Sequence, residues 1–204
     1  MKMTKNNANT ASFKYLGSVL MLMIATSISG SPKIAHAHGS VHAGPVVTQV
    51  NQESALDSVL PLPAKLVKKI EVLDQEDVTW AREAYGVNLN KGVYSYYLAK
   101  DEASGDVVGG AVINRSRFLD GKLSLAIGLD ADLRVVSVVV ISANRSYLFE
   151  LKATVGNGTI ESYSGMSVEE VVTAKELSYS NKTVREFAAT LRDATALLAT
   201  LMQG

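Results

Sequence analysis

Between Gly92 and Asn144 the chain runs through four consecutive β-forming segments with very little between them. "GVYSYYLAKD", "DVVGGAVINR", "KLSLAIGLDAD" and "RVVSVVVISAN" are rich in Val, Ile, Tyr and Leu, and only "EASG", "FLDG" and the turn around Asp130 to Leu133 separate them. A parallel return needs a crossover of about a dozen residues or more, so turns this short force antiparallel neighbours. The segment predicts a four-strand antiparallel meander over residues 92 to 144. In "LSLAIGLD", Leu123, Leu125, Ile127 and Leu129 alternate with Ser124, Ala126 and Gly128, giving one apolar face and one face of small groups. Small groups admit something flat; Gly109, Gly110 and Gly128 equally suit bulges or close helix packing.

The flanking segments have a different period. Glu53 to Tyr85 reads as helical throughout: "ESALDSVLP" gathers Ala55, Leu56, Val59 and Leu60 on one side, and Pro61 and Pro63 end it. "AKLVKKIEVL" repeats the spacing with Leu66, Val67, Ile70 and Leu73, and "DVTWAREAYG" with Val78, Trp80, Ala84 and Tyr85 before a Gly86 cap. Trp80 is read as core, the usual fate of a lone tryptophan on a helical pattern. After the strands comes a less regular stretch. Next is a capping box, Ser167 with Glu170. The last helix carries Val184, Phe187, Ala188, Leu191, Ala194, Leu198 and Leu201 on one face. The expectation is an α+β domain, its antiparallel sheet packed against N-terminal helices and a long C-terminal helix.

The start of the chain follows the order of a secretory signal. A basic stretch without acids leads into the apolar run Tyr15 to Ser29, then "GSPKIAHA". Cleavage is expected after Ala37, since the run is shorter than the ~20 residues of a membrane span. Residues 38–52 show no apolar period and are read as a flexible leader, with residues 53–204 as a single domain of an exported, periplasmic protein.

Composition narrows the chemistry. Without cysteine there is no disulfide, thiolate ligand or thiol nucleophile. The three histidines, His36, His38 and His42, lie at the extreme start, so a Ser-His-Asp triad or histidine metal site has no material. There is no phosphate-binding glycine loop of the Walker or dinucleotide type. Paired acids such as Glu169 with Glu170, or Asp130 with Asp132, suit a helix start and a hairpin turn. With its lysine-bearing signal segment removed the chain is mildly acidic and gives no footprint for nucleic acid.

One further pattern is the order of elements: a "Y..Y..A.D..G..VG.AV" hairpin, an "L.IGLD.D..V..V.V" hairpin, a glycine-bearing loop at "ATVGNG", and "SYSNKT" before the last helix. This order resembles the FMN-binding domain found in flavin subunits of Rnf-type and sodium-translocating NADH:quinone reductase complexes and in exported flavoproteins. The resemblance covers roughly Tyr85 to Leu201. Within the loop, Thr154, Gly156 and Gly158 match the family, and Ala153, Val155 and Asn157 depart from it. Before the helix, Ser178 and Thr183 match, while Tyr179, Ser180 and Asn181 depart. The resemblance implies an exported electron carrier that exchanges electrons with envelope partner proteins. Its flavin ring would lie over the small-residue face near Thr154, Gly156 and Gly158, and its phosphate at Ser178, Ser180, Asn181, Lys182 and Thr183. In the family the final Thr forms a phosphoester with FMN. Covalent FMN at Thr183, noncovalent FMN, and a flavin-free envelope module acting as a binding or assembly partner all remain open. Ser180 or Asn181 also serves simply as a helix cap.

Overall fold

The computed structural model describes residues 43–61, 63–155, 160–174 and 181–204. The chain divides into two units, Met1–Ala37 and His38–Gly204, and the description concerns the second. The expected signal segment and all three histidines fall outside the described residues.

The fold is α+β, with a fully antiparallel sheet. Its strands are β1 (Val46–Thr48), β2 (Lys65–Leu73), β3 (Gly92–Lys100), β4 (Val107–Phe118), β5 (Gly121–Asp130) and β6 (Val135–Asn144). They lie in the order β1-β6-β5-β4-β3-β2, so the sheet has six strands where four were expected. The helices are α1 (Gln52–Val59), α2 (Gln75–Tyr85), α3 (Arg145–Val155), α4 (Val168–Thr173) and α5 (Lys182–Gln203). Among the described residues no helix is long and apolar enough to cross a membrane.

Both additional strands correct the sequence reading. Lys65–Leu73, expected as a helix, pairs with β3 along its whole length, from Lys65 opposite Lys100 to Leu73 opposite Gly92. Leu66, Val67, Ile70 and Leu73 fit either period. β-Branched Val67, Ile70 and Val72 tilt the choice to a strand once β3 offers a complete ladder. The stretch expected as a flexible leader contributes β1, whose Val46, Val47 and Thr48 face Asn144, Ala143 and Ser142 of β6.

The sheet is covered on both sides. Leu123, Leu125, Ile127 and Leu129 form one face with Val112, and α5 packs Phe187, Leu191 and Leu198 against them, joined by α2, α3 and α4. Those side chains are 2% exposed or less, and each such burial contributes about 1.5–3 kcal/mol. On the other face α1 seats Ala55, Leu56 and Val59 over Ala111 and Ala126. Gly128 permits that approach, because a Cβ there would stand 1.5 Å from the Val59 carbonyl oxygen. Close helix packing, the second reading of the small-residue face, is what the glycine serves.

Caps agree closely with sequence chemistry. Ser167 and Glu170 form the capping box of α4, and Gly86 (φ 68°) closes α2 with its N–H donating to the Arg82 carbonyl. Trp80 is the exception. It is 38% exposed and meets Tyr85 edge-on, while Val78, Ala81 and Tyr85 supply the buried stripe of α2. The stretch after β6, expected to be less regular, contains α3, in which Leu148 and Leu151 are buried.

Candidate functional site

The 22-residue helix α5 begins at a cleft. Asn181 is its N-cap, with Oδ1 accepting the Thr183 N–H at 2.8 Å. The first turns of α2 and α4 carry acids and that of α5 carries none, so the positive end of its dipole is not offset from within the helix. Thr183 is 4% exposed and points at α3, where its Oγ1 donates to Glu150 Oε2. Lys182 turns the other way. With Arg117, Leu119, Asp120, Tyr147 and Glu186 it lines a cleft of about 660 Å³, a volume within the range of small-molecule sites. Neither Lys182 nor Arg117 forms an ion pair among the described residues.

The wall of the cleft is held by local geometry. Tyr147 packs edge-to-face on Phe118, with centroids 5.3 Å apart at 80°. Leu119 opens the β4–β5 turn at φ 54°, a left-handed position that the following Asp120-Gly121 allows to close tightly. Gly121 leaves room for Asn144, whose Oδ1 would lie 2.4 Å from a Cβ there and which accepts the Lys122 N–H at 2.7 Å. The Asn144 amide also donates to the Gly44 carbonyl, fastening the hairpin tip to the chain leading into β1.

Of the residues singled out by resemblance, Asn181, Lys182 and Thr183 stand together at this end of α5. Thr154 falls in the last turn of α3, and Gly156, Gly158, Ser178 and Ser180 lie outside the described residues. The Glu150–Thr183 hydrogen bond brings the helix leading into the glycine loop against the helix that follows "SYSNKT". One expectation is overturned. The small-residue face of β5 is on the α1 side of the sheet and α5 on the other, so a ring over Ala126 and Gly128 is ruled out by α1 and separated from Thr183 by the sheet itself. Arg117, Leu119, Tyr147 and Glu150 were not anticipated. The helical spacing of Tyr147, Leu148 and Leu151 was the available signal for α3, whereas no local pattern marks Arg117.

Two more hollows meet at Arg117. The β3–β4 ladder extends only from Tyr97 opposite Ala111 to Lys100 opposite Val107, so the first half of β3 stays with β2 and parts from β4. A polar hollow of about 500 Å³ opens in the split, bounded by Asn88, Tyr94, Asn114 and Ser116, with α5 behind. The Ser116 hydroxyl oxygen is buried there and makes no hydrogen bond among the described residues. On the α1 side, beyond the N-terminus of α1, lies a hollow of about 890 Å³.

Titration behaviour is perturbed away from the cleft. Burial, then the Glu71 carboxylate that accepts its hydroxyl at 3.0 Å, push Tyr96 up to about 12. Burial and the nearby Glu169 charge raise Tyr85. No protein-family model, curated protein or solved structure matches the chain.

Proposed function

We propose that this chain is an exported FMN-binding electron-transfer protein with an FMN-binding-domain-like fold built on the β3–β6 meander, working in the periplasm with redox partner proteins. The observation that carries this reading is the cleft at the start of α5, where Lys182, Arg117 and a helix N-terminus with no acid in its own first turn surround a space bounded by Tyr147 and Leu119. A phosphate is favoured at such a helix end and beside such cations. Tyr147 and Leu119 offer the apolar wall a planar ring needs, and Asp120 and Glu186 offer acceptors to ribityl hydroxyls. When bound, FMN supplies reversible electron transfer; the chain holds it, limits water access and sets its electrostatic surroundings.

Noncovalent binding is the favoured form. Thr183 is buried and its hydroxyl is engaged by Glu150, so a phosphoester there would bring a dianion against a carboxylate. The flavin-free envelope module is the second reading, favoured by α1 occupying the small-residue face where the resemblance puts the ring. The visible absorbance spectrum of purified protein tests both. FMN is expected to bind, to leave on denaturation, and to bind at least tenfold more weakly after Lys182→Glu. Colourless protein with no affinity for added FMN overturns the reading.

A further inference from the structure

We infer a second site, for a small organic phosphate, on the α1 side of the sheet. Strand register sets one row of side chains across four strands: Arg115 is opposite Ser124, Ser124 opposite Ser142, and Ser142 opposite Thr48. All four border the hollow of about 890 Å³. In the adjoining row Arg117 directly faces Lys122. Like charges directly opposite each other on a sheet are destabilising. Arg115 adds a third cation two residues from Arg117 on the same face. None of the three forms an ion pair among the described residues, and Asp120, also on the wall, stays beyond ion-pair range of them.

The donors are likewise unspent. Ser124 is 7% exposed, borders the hollow, and its hydroxyl makes no hydrogen bond among the described residues. The half-buried Ser142 and the exposed Thr48 border the same hollow, and their hydroxyls likewise make no hydrogen bond among the described residues. These hydroxyls keep contact with solvent, so each can exchange a water for a ligand oxygen. Three hydroxyls and three cations match the several acceptor oxygens and negative charge of a phosphate group. Val46, Val50 and Ile141 line the same hollow, and Val46 is 48% exposed, which provides for an apolar body on the phosphate. Arg117 and Asp120 border both hollows, but Arg115, Lys122 and the hydroxyl row border this one and not the Lys182 cleft, so the two sites are separable by substitution.

Phenyl phosphate, titrated into purified protein by calorimetry, is the probe. Saturable binding is expected, falling at least tenfold in the double variant Arg115→Ala with Lys122→Ala, recovering with Arg115→Lys and Lys122→Arg, and unchanged by Lys182→Ala. Amide shifts at Ser124 and Ser142 should move with occupancy. Phenol should not bind, and inorganic phosphate should bind more weakly. Absence of saturable binding, or binding indifferent to the double variant, overturns the site. Capture by phosphatidylglycerol vesicles without binding of phenyl phosphate overturns it too, since the charge would then serve a membrane surface. Loss with Lys182→Ala alone assigns the phosphate to the α5 cleft and also overturns it.

Discussion

The Thr183 hydroxyl donates to Glu150 Oε2 and so ties the first turn of α5 to α3. The bond joins two helices whose intervening segments carry the residues suggested by resemblance. A hydrogen bond to a carboxylate has a net worth of about 1.5–3 kcal/mol when buried, and Glu150 is exposed, so about 1 kcal/mol is the reasonable expectation. Thr183→Ala should lower stability by that amount in urea unfolding and Thr183→Ser by much less. Combined with Glu150→Ala, the two losses should fall short of additivity. Strict additivity within about 0.3–0.5 kcal/mol would show that the pair is not coupled.

Asn181 caps α5 through the Thr183 N–H at 2.8 Å. Asn181→Ala should cost about 1 kcal/mol and Asn181→Asp little or nothing, the new charge lying at the positive end of the helix. Thermal melts of the three proteins decide it; an unchanged midpoint in the alanine variant would show that the cap is dispensable.

Glycines 128 and 110 face opposite sides of β5 and β4, and their neighbours differ in stiffness. A methyl on Gly128 meets the Val59 backbone carbonyl of α1, whereas one on Gly110 meets the Met202 thioether at 2.7 Å. Met202 can swing aside and α1 cannot. Gly128→Ala should therefore destabilise by about 3 kcal/mol or more, and Gly110→Ala by about 1 kcal/mol. Equal midpoints for the two variants in denaturant would contradict this placement of α1.

Tyr96 gives the fold an alkaline limit. Its hydroxyl is held protonated up to about 12 by burial and by Glu71. The unfolded chain releases that proton near its ordinary value of about 10. Stability is thus complete below about 10 and drains away as pH rises toward about 12, since the unfolded state then binds fewer protons. Tyr85 shifts in the same direction and adds to the effect. Urea midpoints measured across this window should fall less steeply in Tyr96→Phe than in wild type; parallel slopes would remove Tyr96 as the cause.

Much of this architecture is visible along the chain. The strand pattern from Gly92 to Asn144, the stripe of α5, the Ser167–Glu170 box and the Gly86 cap all depend on groups a few residues apart, whose chemistry acts whatever surrounds them. The Lys65–Leu73 segment shows where this stops. Its apolar spacing satisfies two periods, and only the partner strand β3 selects one. β1 is similar, three residues made into a strand by the free edge of β6.

The candidate sites belong almost wholly to the second class. Asn181, Lys182 and Thr183 are neighbours in sequence and drew notice for their helix-start chemistry. Arg117, Tyr147 and Glu150 join them only because α3 and the β4–β5 hairpin converge on the start of α5. Whether the Ser124–Gly128 face receives a ring or a helix was likewise undecided until α1 was seen lying on it. By itself the sequence determined that β3 to β6 are extended and that α1, α2, α4 and α5 are helical, with the Gly86 and Ser167–Glu170 caps, because propensity, capping and alternation are local. Tertiary structure decided strand partners, which face α1 covers, and the rows of charge and hydroxyl across the sheet, because these depend on register between segments far apart in the chain.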